Sequence, residues 1–301
     1  MHRRARFVAV LLCLVLPVAL SAQDFSDVVI ETTAVSGNVH MLKGAGGNLA
    51  ISSGEDGVIL VDDQFAPLTD KIRAAIAEVS DGDIRFVLNT HWHGDHVGGN
   101  ENLGKAGTLI VAHDNVRVRM STEQFNELFD RSTPASPKDA LPVVTFNDTA
   151  TFHLNGETIR AFHVPPAHTD GDSIVHFVNA DVVHMGDLYF QGKYPFIDVD
   201  SGGSIDGVIA AADQVLAMVD DSTKIIPGHG PLSNKAELME YRNMLSDIRK
   251  IVADMMAAGK SADEIQAAMP TKPWDEVWGG GFMKPDVFTS IVVRSLETHG
   301  R

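Results

Sequence analysis

Apolar and polar positions along this chain follow two different periods, and each change of period marks an element. Residues 28–63 alternate in short stretches at Val28-Val29-Ile30, Val39 to Leu42, Asn48 to Ser52 and Val58 to Val61, a pattern that predicts β-hairpins. Turns are expected at Ser36-Gly37-Asn38, Gly44 to Gly47 and Gly54 to Gly57. The period then lengthens, with Leu68, Ile72, Ala75, Ile76 and Val79 sharing one helical face. Ile84 to Leu88 reads as a short buried strand that runs into Asn89-Thr90 and a histidine cluster.

A second half repeats the scheme. Strands are expected near 143–145, 150–154, 157–164, 173–178 and 182–186, a helix near 204–219, and a strand at Lys224 to Ile226. Beyond it the chain reads as helical. Leu238, Tyr241, Leu245, Ile248 and Val252 recur at helical spacing, with Asn234 and Glu237 as a cap and Gly259 as a stop. Ser261 to Glu264 fits a capping box for a further helix. Two β-rich halves, each with helices, imply stacked sheets covered by helices on both outer faces.

Composition adds compartment and charge. Hydrophobic residues make up 44% of the 301 and charged residues 21%, the balance of a globular chain that buries a core. At the N-terminus Arg3, Arg4 and Arg6 precede the apolar stretch Phe7 to Val18, and small residues follow. Residues 1–22 therefore read as a secretory signal peptide cleaved after Ser21 or Ala22. The expected mature domain is 23–301 with a helical C-terminal extension, periplasmic or secreted, with no stable membrane insertion. Cys13, the single cysteine, falls inside the leader, so disulfides and thiolate ligands drop out of the mature chain. Cleavage would also deepen the net charge from −16 to −19. So negative a surface repels phosphate backbones, which excludes a nucleic-acid partner and leaves a small-molecule substrate. Nothing in the sequence sets an oligomeric state.

The chemistry concentrates in His91-Trp92-His93-Gly94-Asp95-His96, which carries four candidate ligands at the end of a buried strand. Positions 91 and 93 point the same way in an extended segment, whereas 95 and 96 redirect after a turn that Gly94 is expected to permit. His168, Asp187 and His229 follow later strands, each beside Gly or Pro, where side chains gather at one sheet edge. Together these seven nitrogen and oxygen ligands suffice for two metal ions with a position open to water. Other residues read more plainly: His113 as a helix cap, His153, His163 and His176 as strand residues, and His184 as a buried structural group. Trp274 and Trp278 read as packing anchors, with 278–282 a candidate flap. Tyr189 and Lys193 are candidates to contact a substrate carboxylate.

With these four separated motifs in order, most of residues 28–231 resembles the metallo-β-lactamase superfamily. The resemblance implies an α/β (α+β) fold, a four-layered αββα sandwich with its site at the sheet edge. It also implies two Zn²⁺ ions, although such ligands accommodate iron or manganese. His91, His93 and His168 would hold one ion, Asp95, His96 and His229 the other, and Asp187 would bridge. Asp62 would support the metal loops, and Asp95 would be the catalytic residue that orients the attacking water or relays its proton. Two positions depart from the well-known lactamases. Those enzymes carry cysteine where Asp187 stands and lysine where Phe190 stands, while an aspartate is what glyoxalase II and several lactonases carry. The expected activity is zinc-dependent hydrolysis, with a β-lactam amide as leading substrate because of the leader. A lactonase or thioesterase comes second because of Asp187. A non-hydrolytic module with an iron centre is third, and little of the chain is left for a flavin domain.

Overall fold

A computed structural model describes residues 24–299, so the leader reading of 1–22 lies outside the described residues. The first half runs through strands β1 (Glu31–Ser36), β2 (Val39–Lys43), β3 (Leu49–Gly54) and β4 (Gly57–Val61), then helix α1 (Thr69–Ala77) and β5 (Ile84–Leu88). Two short helices, α2 (Gly94–Val97) and α3 (Asn100–Lys105), lead to β6 (Leu109–His113) and α4 (Asp114–Met120). A small ribbon of β7 (Gln124–Asn126) and β8 (Arg131–Thr133) precedes β9 (Val144–Phe146). The second half contains β10 (Thr149–Leu154), β11 (Glu157–His163), β12 (Ser173–Phe177), β13 (Val182–His184), α5 (Ile205–Met218), β14 (Lys224–Ile226) and β15 (Ser233–Asn234). Four helices close the chain: α6 (Lys235–Ala257), α7 (Ala262–Ala267), α8 (Asp275–Trp278) and α9 (Pro285–His299).

The strands form a seven-stranded sheet in the order β1-β2-β3-β4-β5-β6-β9 and a six-stranded sheet, β10 to β15 in sequence order. Period-two alternation divides the layers. Ile59, Val61, Leu88 and Val111 of the first sheet meet Ile159, Ala161, Val175, Phe177 and Ile226 of the second. The intervening residues Val58, Leu60, Val87 and Ile110 face outward onto Leu68, Ile72 and Ile76 in and beside α1. On the far side Ile174, Val183 and Ile225 pack against α5, α6 and α9 through Val208, Tyr241, Leu245 and Phe288. Helices, sheet, sheet, helices is the expected four-layered sandwich. Each fully buried Leu, Ile, Val or Phe in it contributes about 1.5–3 kcal/mol.

Strand direction decides where the chemistry collects. β4, β5 and β6 pair parallel, as do β13 and β14, so their carboxyl ends lie at one edge. Asp62, His91, Asp187 and His229 all follow such ends, where ligands bind in parallel α/β sheets. Asn48 ties the two sheets together there, its backbone N–H donating to Gly228 O at 2.7 Å and its side chain to Pro227 O and Gly230 O at 2.9 Å.

Capping follows the sequence closely. The N–H of Glu237 donates to the Asn234 side chain at the start of α6, and the reciprocal Ser261–Glu264 box opens α7. The N–H of Asn115 donates to His113 Nδ1 at the start of α4. Two expectations fail. The first strand begins at Glu31, not Val28, because the carbonyls of Phe25, Ser26 and Val28 accept from the Lys71 ammonium at 2.6–3.0 Å instead of joining a ladder. Gly94 does not have a positive φ, and a Cβ there would meet open space, so the redirection comes from the start of α2.

Candidate metal centre

The centre is assembled around two buried carboxylates. Asp62 follows β4 with φ +59°, a left-handed conformation that Asp tolerates better than most residues. Its carboxylate accepts from the Thr90 N–H, the Thr90 hydroxyl and His96 Nδ1, each at 2.7 Å. The Thr90 hydroxyl hydrogen is thereby committed, so its oxygen accepts from His91 Nδ1 at 3.1 Å. His93 donates from Nε2 to Asp198 at 3.0 Å, and His168 donates from Nδ1 to Phe196 O at 2.8 Å. An acceptor therefore holds the outer nitrogen of each of these four rings and turns the other nitrogen inward, the arrangement that serves ligating histidines.

Asp187 stands between two groups. His91, His93 and His168 gather with it on one side, and Asp95, His96 and His229 gather on the other. Its Oδ2 lies 3.8 Å from His91 Nε2 and 3.6 Å from His168 Nε2, and its Oδ1 lies 3.0 Å from His96 Nε2 and 3.3 Å from His229 Nε2. His91 Nε2, His96 Nε2 and Asp187 Oδ1 are buried without a hydrogen-bond partner. Three such atoms facing one another would be costly in a finished protein interior. A pair of divalent cations would satisfy all of them, so the donor set fits the metals the sequence implies. Backbone approach is equally close: a Cβ at Gly47 would overlap the His96 ring, and one at Gly228 would overlap Asp187 Oδ1.

Electrostatics differ between the two groups of side chains. Burial pushes the His91 imidazolium well below its usual range and lowers His168 to about 4, so both are neutral bases ready to ligate. Burial also opposes charge on His229 and His96, but there the carboxylates win. Asp187 and Asp95 lift His229 to about 9, and with Asp62 they lift His96 well above its normal value. In return, despite burial, His96 and His229 hold Asp95 at about 2 and Asp187 well below the carboxylate range. The side chains of Asp95, His229 and His93 are 28%, 23% and 15% exposed, so the centre opens to solvent through these three.

All seven residues singled out from the sequence come together. His184 stays outside, its Nε2 donating to Asn48 O at 3.0 Å while Nδ1 accepts from the Gly186 N–H. His163 stacks on His113 with ring centroids 3.7 Å apart. Tyr189 is not a substrate contact: it is buried, with its hydroxyl on Ser233 at 2.8 Å and its ring against Tyr241. Lys193 is exposed, its stem lying along Gly281. Trp278 is buried against Tyr241, and its carbonyl accepts from the Tyr194 N–H at 3.0 Å, so the 278–282 segment is pinned at that end. Sequence reasoning missed two supporting acids. Asp198 holds His93, and Asp172 accepts from the backbone N–H groups of His168 and Thr169 at 2.7 and 2.8 Å. Burial raises the Asp172 carboxyl to about 7 against those bonds. The only sequence signal for Asp172 was its place in the Gly- and Pro-rich turn around His168, and Asp198 had none.

A family model for the metallo-β-lactamase superfamily matches residues 47–230, more than half of the chain, and the chain belongs to that superfamily of metal-dependent hydrolases. Among curated proteins it is similar to the lactamase-like protein aptB of Emericella nidulans, at 24% identity over 84% of this chain and 77% of that one. It is also similar to a hydroxyacylglutathione hydrolase of Polaromonas sp., at 28% identity over 62% of this chain and 63% of that enzyme. Among solved structures, a metallo-β-lactamase from Pontibacter korlensis superposes with TM-score 0.61 and 18% identity, covering 72% of this chain and 99% of that one. The sec-alkylsulfatase Pisa1 from Pseudomonas sp. reaches TM-score 0.69 at 15% identity, covering 90% of this chain and half of that one.

Proposed function

We propose that this protein is a dinuclear zinc hydrolase of activated carboxylic derivatives, foremost thioesters, esters and lactones. The observation that carries the reading is the Asp187 carboxylate, with one oxygen toward each group of candidate ligands. A bridging aspartate is the feature of glyoxalase II and several lactonases, and sequence relatives include a hydroxyacylglutathione hydrolase. His91, His93 and His168 would hold one ion and Asp95, His96 and His229 the second, with Asp187 shared between them. When bound, the cations supply Lewis acidity toward the carbonyl oxygen and lower the pKa of water.

The chain's own groups do the rest. A substrate carbonyl approaches where Asp95, His229 and His93 reach solvent. The Asp95 carboxylate accepts a hydrogen of the attacking water and turns its lone pair toward the carbonyl carbon. As the carbon–oxygen bond forms and the bond to the leaving group breaks, that proton passes to the departing thiol or alcohol.

A second reading, β-lactam hydrolysis outside the cytoplasm, is favoured by the leader-like sequence of residues 1–22. The test is one zinc-loaded preparation assayed against a glutathione thioester, a homoserine lactone, a penicillin and a carbapenem. The leading reading expects kcat/KM for the thioester or lactone to exceed that for either β-lactam. Turnover confined to β-lactams would replace it with the second, and no turnover of any of the four would sink both.

A further inference from the structure

Two aromatic rings flank the centre, and from one of them a path of three rings leads out to solvent. Phe190 stacks on His229 at 4.9 Å, in the position where the well-known lactamases carry a lysine. On the opposite side the Phe196 ring lies 5.6 Å from His93 and 5.8 Å from His168. Phe129 is 5.3 Å from Phe196, and Phe282 is 5.7 Å from Phe129. Exposure rises along that path: Phe196 is partly buried, Phe129 is 41% exposed and Phe282 77%.

Packing and hydrogen bonds hold the backbone under each ring. Phe129 tops the β7–β8 ribbon. The Asn126 side chain there donates to Asp198 at 3.0 Å, and the Glu127 N–H donates to Asp200 at 2.9 Å. Arg294 of α9 clamps both Glu127 and Asp200, and the Phe129 N–H donates to Asn126 at 3.1 Å. Asp198 also accepts from His93, so the same carboxylate positions the ribbon and a candidate ligand. Phe282 sits between Gly281, which rests on the Lys193 stem, and the buried Met283. Two separate segments, the ribbon and the C-terminal extension, thus deliver large rings to one place that the fold does not need for its core.

We propose that Phe196, Phe129 and Phe282 form an apolar subsite that takes the acyl chain of the substrate, an alkyl or aryl group extending outward from the reacting carbonyl. This deepens the carbonyl-hydrolase reading and rests on it for the reaction, but not for the binding. The rings reach the centre through Phe196, so a chain attached to a carbonyl beside Asp95 and His93 has a succession of aromatic faces to run along. Each methylene that moves from water onto the rings should improve binding by about three- to fourfold until the path is filled.

The experiment pairs binding with turnover on the zinc-loaded protein. Calorimetric titration with acetate, butyrate, hexanoate and octanoate gives affinity, and p-nitrophenyl esters of the same acids give kcat/KM. Both should rise with chain length, and the octanoyl-to-acetyl ratio should fall at least tenfold in Phe129→Ala and in Phe282→Ser. Both positions are exposed, so neither change threatens the core, and unchanged circular dichroism and melting temperature check that. If affinity rises with length and no ester turns over, the subsite stands and the reaction reading fails. If esters turn over with no length dependence, or both variants keep the wild-type ratio, the subsite is refuted and the reaction stands. Sedimentation showing a dimer that Phe282→Ser dissociates, with no change in the ratio, would make the rings a contact between copies and overturn the proposal.

Discussion

The two ligand groups beside Asp187 are held in contrasting ways. His91, His93 and His168 rest on acceptors of mixed character: a hydroxyl that Asp62 orients, the Asp198 carboxylate and a backbone carbonyl. Burial keeps His91 and His168 neutral there, so their nitrogens are free bases before any metal arrives. Asp95, His96 and His229 are instead gathered by charge, with Asp187, Asp95 and Asp62 around two imidazoliums. The first group is preformed for a cation by hydrogen bonding and the second by an internal ion cluster that a cation must replace. Metal affinity at the second group therefore includes the work of breaking contacts the protein has already made.

The largest effect should come from removing the residue the groups share. Asp187→Ala takes away the carboxylate whose oxygens face both sides, and the second group then keeps Asp95 and, at His96 alone, Asp62 to balance two cationic rings. We expect zinc content to fall from two ions toward one and kcat/KM to fall by about a thousandfold or more, comparable to losing a major electrostatic contributor to a transition state. Metal analysis alongside kinetics checks it. Two retained ions with near-native rates would show that the contrast between the groups does not run through Asp187.

The supporting acids offer a finer cut. Asp62 bonds His96 directly and His91 only through Thr90, whereas Asp198 bonds His93 and the ribbon. Outer partners of this kind are worth about 10- to 100-fold in metal affinity. Asp62→Ala should reach the upper end, weakening both ions and lowering the melting temperature, because the Thr90 N–H and His96 Nδ1 lose their acceptor in the interior. Asp198→Ala should stay near tenfold and touch only the first ion. Competition titrations with a chromophoric chelator separate the two; equal losses in both variants would erase the distinction.

How much of this was readable in advance depends on whether the signal was local. The 91–96 cluster was legible because a strand buried at its carboxyl end, Ile84 to Leu88, delivers four ligands within six residues. His168, Asp187 and His229 were legible because each sits on a Gly- or Pro-flanked turn after a strand, and the layers followed from period two in Val58 to Val61 and its neighbours. Asp198 was not legible, since its role exists only because the 194–201 segment passes over His93 in space. The β7–β8 ribbon was missed for a similar reason: its six paired residues are too short for periodicity and lean on Arg294, Asp198 and Asp200 from elsewhere. Tyr189 was misplaced because proximity in sequence to Asp187 says nothing about side, and its ring turns inward. Val28 to Ile30 had strand composition, but the Lys71 ammonium collects the nearby carbonyls.

The smallest effect concerns the order in which metal leaves. Chelators act on ions whose ligands open to solvent, and two of the three side chains unique to the second group, Asp95 and His229, are 28% and 23% exposed. In the first group His91 and His168 are buried, and only His93, at 15%, reaches the surface. Opening the second group also restores the cluster of Asp187, Asp95, His96 and His229, which partly compensates for the lost ion, while opening the first leaves neutral rings with buried lone pairs unmet. Both terms act in one direction, so the second ion should dissociate faster by about tenfold, equivalent to about 1.4 kcal/mol in the barrier. Stopped-flow mixing with excess EDTA and a zinc-sensitive dye should then give two phases of equal amplitude. In Asp198→Ala the slow phase should accelerate and the fast phase should not. A single phase in the wild type, or acceleration of the fast phase alone in the variant, would mean that exposure and internal charge do not govern release, and the contrast between the groups would be one of structure only.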